Sequence, residues 1–270
     1  MHKLMAVLFK HAAIAMAAIA WVGPGVSLGL PDIPYRTSFE APDFLVGALG
    51  VSGQDGWTGD GAIQNATPSY VKRGAQSLEI GESAVVSRDL SGPTTGKVYV
   101  DGYYHGPTVD ATLEPTVLAP SSSVILFHAS LGILALDGNG AGGGTWVPTG
   151  TPVSTSSLQR ITLCQDYDAK TWTLFIDKQL VPGVFGFKDN SISQLTGIDI
   201  ETPETGKGYL DDFGATTSVP EFFSHALFDF STEWQDQTPG DQAPPNWDLM
   251  PVENKVNASD LDELISRLLE

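Results

Sequence analysis

Lys97-Val98-Tyr99-Val100-Asp101-Gly102-Tyr103-Tyr104-His105 alternates in character along its length. In an extended strand that alternation puts Tyr99, Asp101, Tyr103 and His105 on one face and Val98, Val100 and Tyr104 on the other. Rings beside a carboxylate and an imidazole suit a sugar. The ring takes the CH-rich face of a pyranose at small entropic cost, and the polar groups take its hydroxyls. Trp57 follows Asp55-Gly56, Trp146 follows a glycine run, and Tyr167 stands between two aspartates, all where loops are expected. Trp57, Tyr99, Tyr103 and Trp146 are therefore the candidate ligand-binding residues. The competing role for a Trp in an all-β chain is packing in the core or under a loop.

Other chemistry finds less support. His105, His128 and His225 show neither metal-ligand spacing nor a Ser and Asp pattern for nucleophilic catalysis. Gly138-Asn139-Gly140-Ala141-Gly142-Gly143 fits a dinucleotide-binding glycine pattern, but Thr145-Trp146-Val147-Pro148 cannot open the helix that pattern needs. Cys164 is the chain's only cysteine, so no internal disulfide forms, and it reads as a small strand residue.

The elements that must position these residues are strands. Short apolar or alternating runs recur from Thr37 to Thr217: Ser77–Ile80, Ala84–Ser87, Val124–His128, Gly132–Leu136, Gly197–Glu201 and Tyr209–Phe213. Arg160–Gln165 and Thr171–Asp177 read as a hairpin turning through Asp166–Ala169. No stretch between 37 and 217 carries a helical period of useful length. The expected fold is all-β, an antiparallel two-sheet jelly-roll sandwich over residues 30–219. The 29 Gly and 18 Pro, against 17% charged residues, agree with many strands joined by tight turns.

Residues 1–29 read as an export signal: Lys3 and Lys10, an apolar run from Ala12 to Val22, Pro24, then small residues allowing cleavage after Gly29. The run is too short for a permanent membrane span, and the chain is expected to be secreted or held at the cell surface. A net charge of −18 argues against nucleic acid as a partner and suits solubility or divalent cations. Residues 220–270 read as a linker and a helical tail. Asn257 or Ser259 caps a helix whose apolar face is Leu261, Leu264, Ile265 and Leu268.

Ser38-Phe39-Glu40, Gly56-Trp57 and Gly74-Ala75-Gln76-Ser77-Leu78 come in that order. Ile161-Thr162-Leu163, Trp172-Thr173-Leu174-Phe175-Ile176-Asp177 and Tyr209-Leu210-Asp211-Asp212-Phe213 follow. The set resembles the bacterial concanavalin A-like, laminin-G-like jelly-roll domains and the carbohydrate-binding modules close to them, over about two thirds of the chain. Lys178 departs from the Gly that often follows the Asp177 position. The resemblance implies a structural Ca²⁺ shared by Glu40 and by Asp211 or Asp212, with main-chain carbonyls near Gln76 and Ser77 completing its shell.

The hydrolases of the laminarinase–lichenase branch carry Glu-x-Asp-x-Glu on one strand. Here Gly197-Ile198-Asp199-Ile200-Glu201 has the spacing, but Gly197 stands at the nucleophile position. Val256-Asn257-Ala258-Ser259-Asp260-Leu261 resembles half of a dockerin repeat. Pro251, Val252 and Glu253 stand where its calcium loop needs Asp or Asn and Gly, so the tail reads as an attachment or docking helix.

The expectation is then an exported, non-catalytic recognition or adhesion domain, with carbohydrate or a cell-surface glycan as partner. The alternatives are a polysaccharide hydrolase or lyase on the same fold, and a structural surface protein.

Overall fold

The structure, a computed structural model, describes residues 33–220 and the backbone of Ala6–Lys10. The run Ala12–Val22, the cleavage point after Gly29 and the tail beyond Pro220 lie outside the described residues. Ala6–Lys10, within the segment that reads as an export signal, forms a strand.

Among the described residues there are sixteen strands. The first eight are β1 (Ala6–Lys10), β2 (Tyr35–Thr37), β3 (Gly47–Gln54), β4 (Trp57–Asn65), β5 (Gln76–Ile80), β6 (Val85–Asp89), β7 (Lys97–His105) and β8 (Ser121–His128). Then follow β9 (Gly132–Gly138), β10 (Gly144–Pro148), β11 (Gln159–Asp166), β12 (Thr171–Ile176), β13 (Gln179–Leu180), β14 (Phe185–Gly186), β15 (Gly197–Glu201) and β16 (Gly208–Thr216). They pair antiparallel in the order β10-β9-β8-β1-β15-β6-β4-β5-β16-β7-β11-β12-β13. That path folds into the two layers of a sandwich, as the alternation predicts.

The corner is β4. Its first residues, Trp57–Gly59, pair with β6, and its later ones, Gly61–Asn65, pair with β5. A strand can pass from one layer to the other where side chains are absent, and Gly59 (φ 108°) and Gly61 stand at the change of partner.

The core lies between the layers. Alternate side chains of the strands point inward: Val98, Val100 and Tyr104 from β7, Leu163 from β11, Trp172 and Leu174 from β12, Ile198 and Ile200 from β15. Strand β8 is buried along its whole length, which explains why Val124–Phe127 is apolar without alternation. Cys164 sits on β11 on the face away from this core, enclosed beside Tyr99, and burial pushes its thiol up.

Trp57 belongs to this core. It is fully enclosed, with Phe39 at 5.4 Å and Phe213 at 5.2 Å in edge-to-face contact, and its indole N–H donates to the Tyr35 hydroxyl at 3.0 Å. No face of the ring is left for a ligand, so its place among the ligand-binding candidates is corrected here. Asp55 (φ 45°) and Gly56 (φ 75°) form a two-residue hairpin turn between β3 and β4, with Gln54 opposite Trp57. Trp57 is therefore the first strand residue after the turn, and its side chain points inward.

Candidate functional site

The outward face of β5, β16, β7 and β11 gathers the polar and aromatic side chains. Register explains how. Tyr103 stands between Arg160 on β11 and Asp211 on β16; Asp101 faces Thr162; His105 faces Tyr209, and Tyr209 faces Glu79. Directly opposed and diagonal side chains touch, and two fixed pairs result. Asp101 takes the Arg160 guanidinium through both carboxylate oxygens, at 2.6 and 3.0 Å, and accepts the Thr162 hydroxyl at 2.5 Å. Although burial works against the charge on Arg160, the Asp101 hydrogen bond and charge hold its pKa above the usual value, with help from Tyr103 and Asp212. Glu79 takes Lys207 at 2.8 Å and the Tyr209 hydroxyl at 3.1 Å.

The rings stand between these pairs. Tyr70, from the 3₁₀ turn Pro68–Tyr70, stacks on Tyr209 with centroids 4.2 Å apart and planes 3° from parallel. His105 is tilted against Tyr70 at 4.7 Å. Burial lowers the pKa of His105, partly offset by the Thr155 main chain, so at neutral pH the imidazole is uncharged. Its two ring nitrogens are buried and make no hydrogen bond of ordinary geometry. Tyr103 lies under the Lys72 ammonium at 4.7 Å and near the Arg160 guanidinium at 5.5 Å.

The remaining candidates fall elsewhere. Tyr99 shares the Tyr103 face of β7 but is only 8% exposed. Its ring is a cover for Cys164 rather than an open platform. Trp146 lies on β10 at the far end of the strand order, half-buried, with its indole N–H donating to Leu113 O at 2.8 Å. The structure therefore brings Tyr103 to the face and leaves Tyr99 and Trp146 outside it. Sequence alternation pointed to Asp101 and His105 as companions of Tyr103. Tyr209 and Arg160 join them through strand register, and Tyr70 and Lys72 come from the turn and loop between β4 and β5.

Glu40 and Asp211 meet on one short segment. Glu40 Oε1 accepts the N–H groups of Ala75 (2.8 Å) and Gln76 (2.6 Å). Asp211 Oδ2 accepts those of Lys72 (2.6 Å) and Arg73 (2.9 Å), and Oδ1 accepts that of Asp212 (2.7 Å). Gly74 (φ 79°) lets the loop close on Glu40; a Cβ there would run into the carboxylate. Asp211 is fully enclosed, and burial lifts its pKa from 3.8 to about 6 against the pull of the three N–H groups. Ser77 Oγ and Gln76 Oε1 are buried acceptors without a hydrogen-bond partner. Continuing the pairing of Leu210 with Leu78 by one residue sets Ser77 beside Asp211.

The 72–76 loop therefore turns N–H groups toward both carboxylates, where the shell of a hard cation needs oxygens. Among the described residues, no group of three or more His, Cys, Asp or Glu converges in a way that could hold a metal. Asp212 lies within the bulge of β16 (φ 48°), and its charge adds a minor pull on Arg160 beside that of Asp101.

On β15, Ile198 and Ile200 enter the core while Asp199 faces the other way and accepts the Ser87 hydroxyl at 2.7 Å. A Cβ on Gly197 would lie 2.6 Å from Arg88 O, so this position has no room for a carboxylate.

No family model matches the sequence, and no curated protein does. The solved structures to which the chain is similar include an alginate lyase, Aly36B, at 9% identity over 70% of this chain and 98% of that one, with a TM-score of 0.43. A carbohydrate-binding module, CBM66 from Bacillus subtilis, is 10% identical over 60% of this chain and 95% of that one, with a TM-score of 0.33. A sialidase is 10% identical over 72% of this chain, with a TM-score of 0.42, and the chain spans only 20% of that protein's length. The expectation that the chain is not an enzyme is corrected: the solved structures to which it is similar include a lyase and a sialidase as well as a binding module.

Proposed function

We propose that the outward face of β5, β16, β7 and β11 binds carbohydrate in an extracytoplasmic setting. The observation that carries this is the row Tyr209–Tyr70–His105–Tyr103, set between two fixed ion pairs, Arg160–Asp101 and Lys207–Glu79. The rings offer stacking area and the pairs offer pre-oriented donors and acceptors, which is what a polyhydroxylated ligand requires. Glycan-array and calorimetric binding of the wild type, Tyr103→Ala and Tyr209→Ala tests it. Loss of one stacking ring is worth about 1 to 1.5 kcal/mol, or about tenfold in Kd. A wild type that binds no glycan, or variants that bind as well as the wild type, would refute it.

The same proposal includes a Ca²⁺ between Glu40 and Asp211, holding the 72–76 segment beside Tyr103. The enclosed Asp211 carboxylate and the orphaned Ser77 Oγ support it. The cation would supply the positive charge that this carboxylate lacks; its effect on pH dependence is taken up below.

A further inference from the structure

We propose that the space between β8 and β15 is a strand-accepting site for an extended apolar peptide, filled in this structure by the chain's own Ala6–Lys10. β8 and β15 each pair with β1 and not with each other. Ala6, Val7 and Leu8 face Leu126, Ile125 and Val124 on one side, and Val7 and Leu8 face Ile200 and Asp199 on the other. β1 runs antiparallel to both, so β8 and β15 run parallel to one another, one strand-width apart.

Neither edge is at the rim of the sheet. Every residue of β8 is buried, as are the first four of β15. Left open, the facing N–H and C=O groups of two interior strands would lose their partners away from water, each at a cost of about 1 to 3 kcal/mol. The fold therefore demands a strand there. The demand is met mainly by main-chain pairing, and main-chain pairing accepts any extended peptide whose side chains suit the two faces. The occupant reads Ala6-Val7-Leu8-Phe9-Lys10, which defines the ligand class: a short extended segment, small or aliphatic along its pairing stretch, entering antiparallel to both neighbours.

The occupant also lies in the segment that the sequence marks for removal after Gly29. A cut there would sever Ala6–Lys10 from the rest of the chain and so make it exchangeable for a strand from another chain.

The test uses the full chain. Leu8→Pro removes a ladder N–H and is excluded from an interior strand, so it expels β1. The probe is a labelled synthetic peptide of residues 4–12. The wild type, its site filled, should leave the probe unbound, while Leu8→Pro binds it at least tenfold more tightly. Amide exchange over 121–128 and 197–201 should quicken in Leu8→Pro and slow again when the peptide is added. A peptide carrying the same proline should do neither. Equal protection in both proteins, or equal binding of the two peptides, overturns the proposal.

Should Leu8→Pro fail to fold, the double variant Leu8→Cys, Val124→Cys decides. These positions face each other across the ladder, and oxidation cross-links them if β1 occupies the site. Absence of the cross-link in the folded protein overturns it.

Discussion

Asp211 offers a measurable consequence of burying a carboxylate. Its pKa is raised in the folded protein, from 3.8 to about 6, so the folded state holds the proton more tightly than the unfolded state does. The stabilisation is fully present below about pH 4 and is lost as pH rises through about 6. Two pKa units correspond to about 3 kcal/mol. Residues 72–75, which close over the carboxylate, are exposed, so solvent screens part of this and the expected figure is about 1 to 2 kcal/mol.

Asp211→Asn removes the titration while keeping an acceptor oxygen. The readout is the difference in urea unfolding free energy between wild type and Asp211→Asn, measured from pH 4 to 7 with a chelator present. The wild type should lose about 1 to 2 kcal/mol relative to the variant across that range. Calcium should cancel or reverse the slope, because the cation competes with the proton for the carboxylate. A difference that stays flat with pH in chelator, or that grows in favour of the wild type as pH rises, would refute the reasoning.

Two further outcomes follow from the packing. Gly74→Ala should cost about 1 to 3 kcal/mol in chemical denaturation, since its backbone is left-handed and its Cβ would displace the Glu40 carboxylate. An unchanged midpoint would mean that the 72–76 loop is free to move away from Glu40. Trp57→Phe should cost about 1 to 3 kcal/mol through lost volume and the lost hydrogen bond to the Tyr35 hydroxyl, while leaving glycan affinity as in the wild type. A fall in affinity without a fall in stability would return Trp57 to the binding residues.

The layered fold was legible because strands declare themselves by alternation, and Val98, Val100 and Tyr104 turn inward as their spacing requires. Trp57 shows where the reading failed and why. The loop expected at Trp57 is a two-residue hairpin turn, for which the dipeptide Asp55-Gly56 is the signal. A tight turn places the next residue in a strand, and so in the core. Tyr167 misled in the same manner: it follows Asp166 at a turn, yet it is enclosed, with its hydroxyl donating to Gln165 at 2.7 Å.

The site was legible only in part. Tyr103, Asp101 and His105 lie on one strand, where spacing alone settles which face they share. Tyr209 and Arg160 reach them across ladders whose register depends on the whole sandwich, and Tyr70 reaches them from a 3₁₀ turn. Glu40 and Asp211 rest on the family resemblance, and both carboxylates accept N–H groups of the 72–76 loop, while Asp212 falls in the bulge of β16.

Cys164, closed beneath Tyr99 with its thiol pushed up by burial, has a practical bearing on how the protein can be handled. The sole sulfhydryl cannot reach a second molecule, so an oxidising medium does not drive the protein into covalent dimers. For the same reason, one cysteine introduced on an exposed turn would react alone, which permits oriented immobilisation with the Tyr103 face presented to polysaccharide.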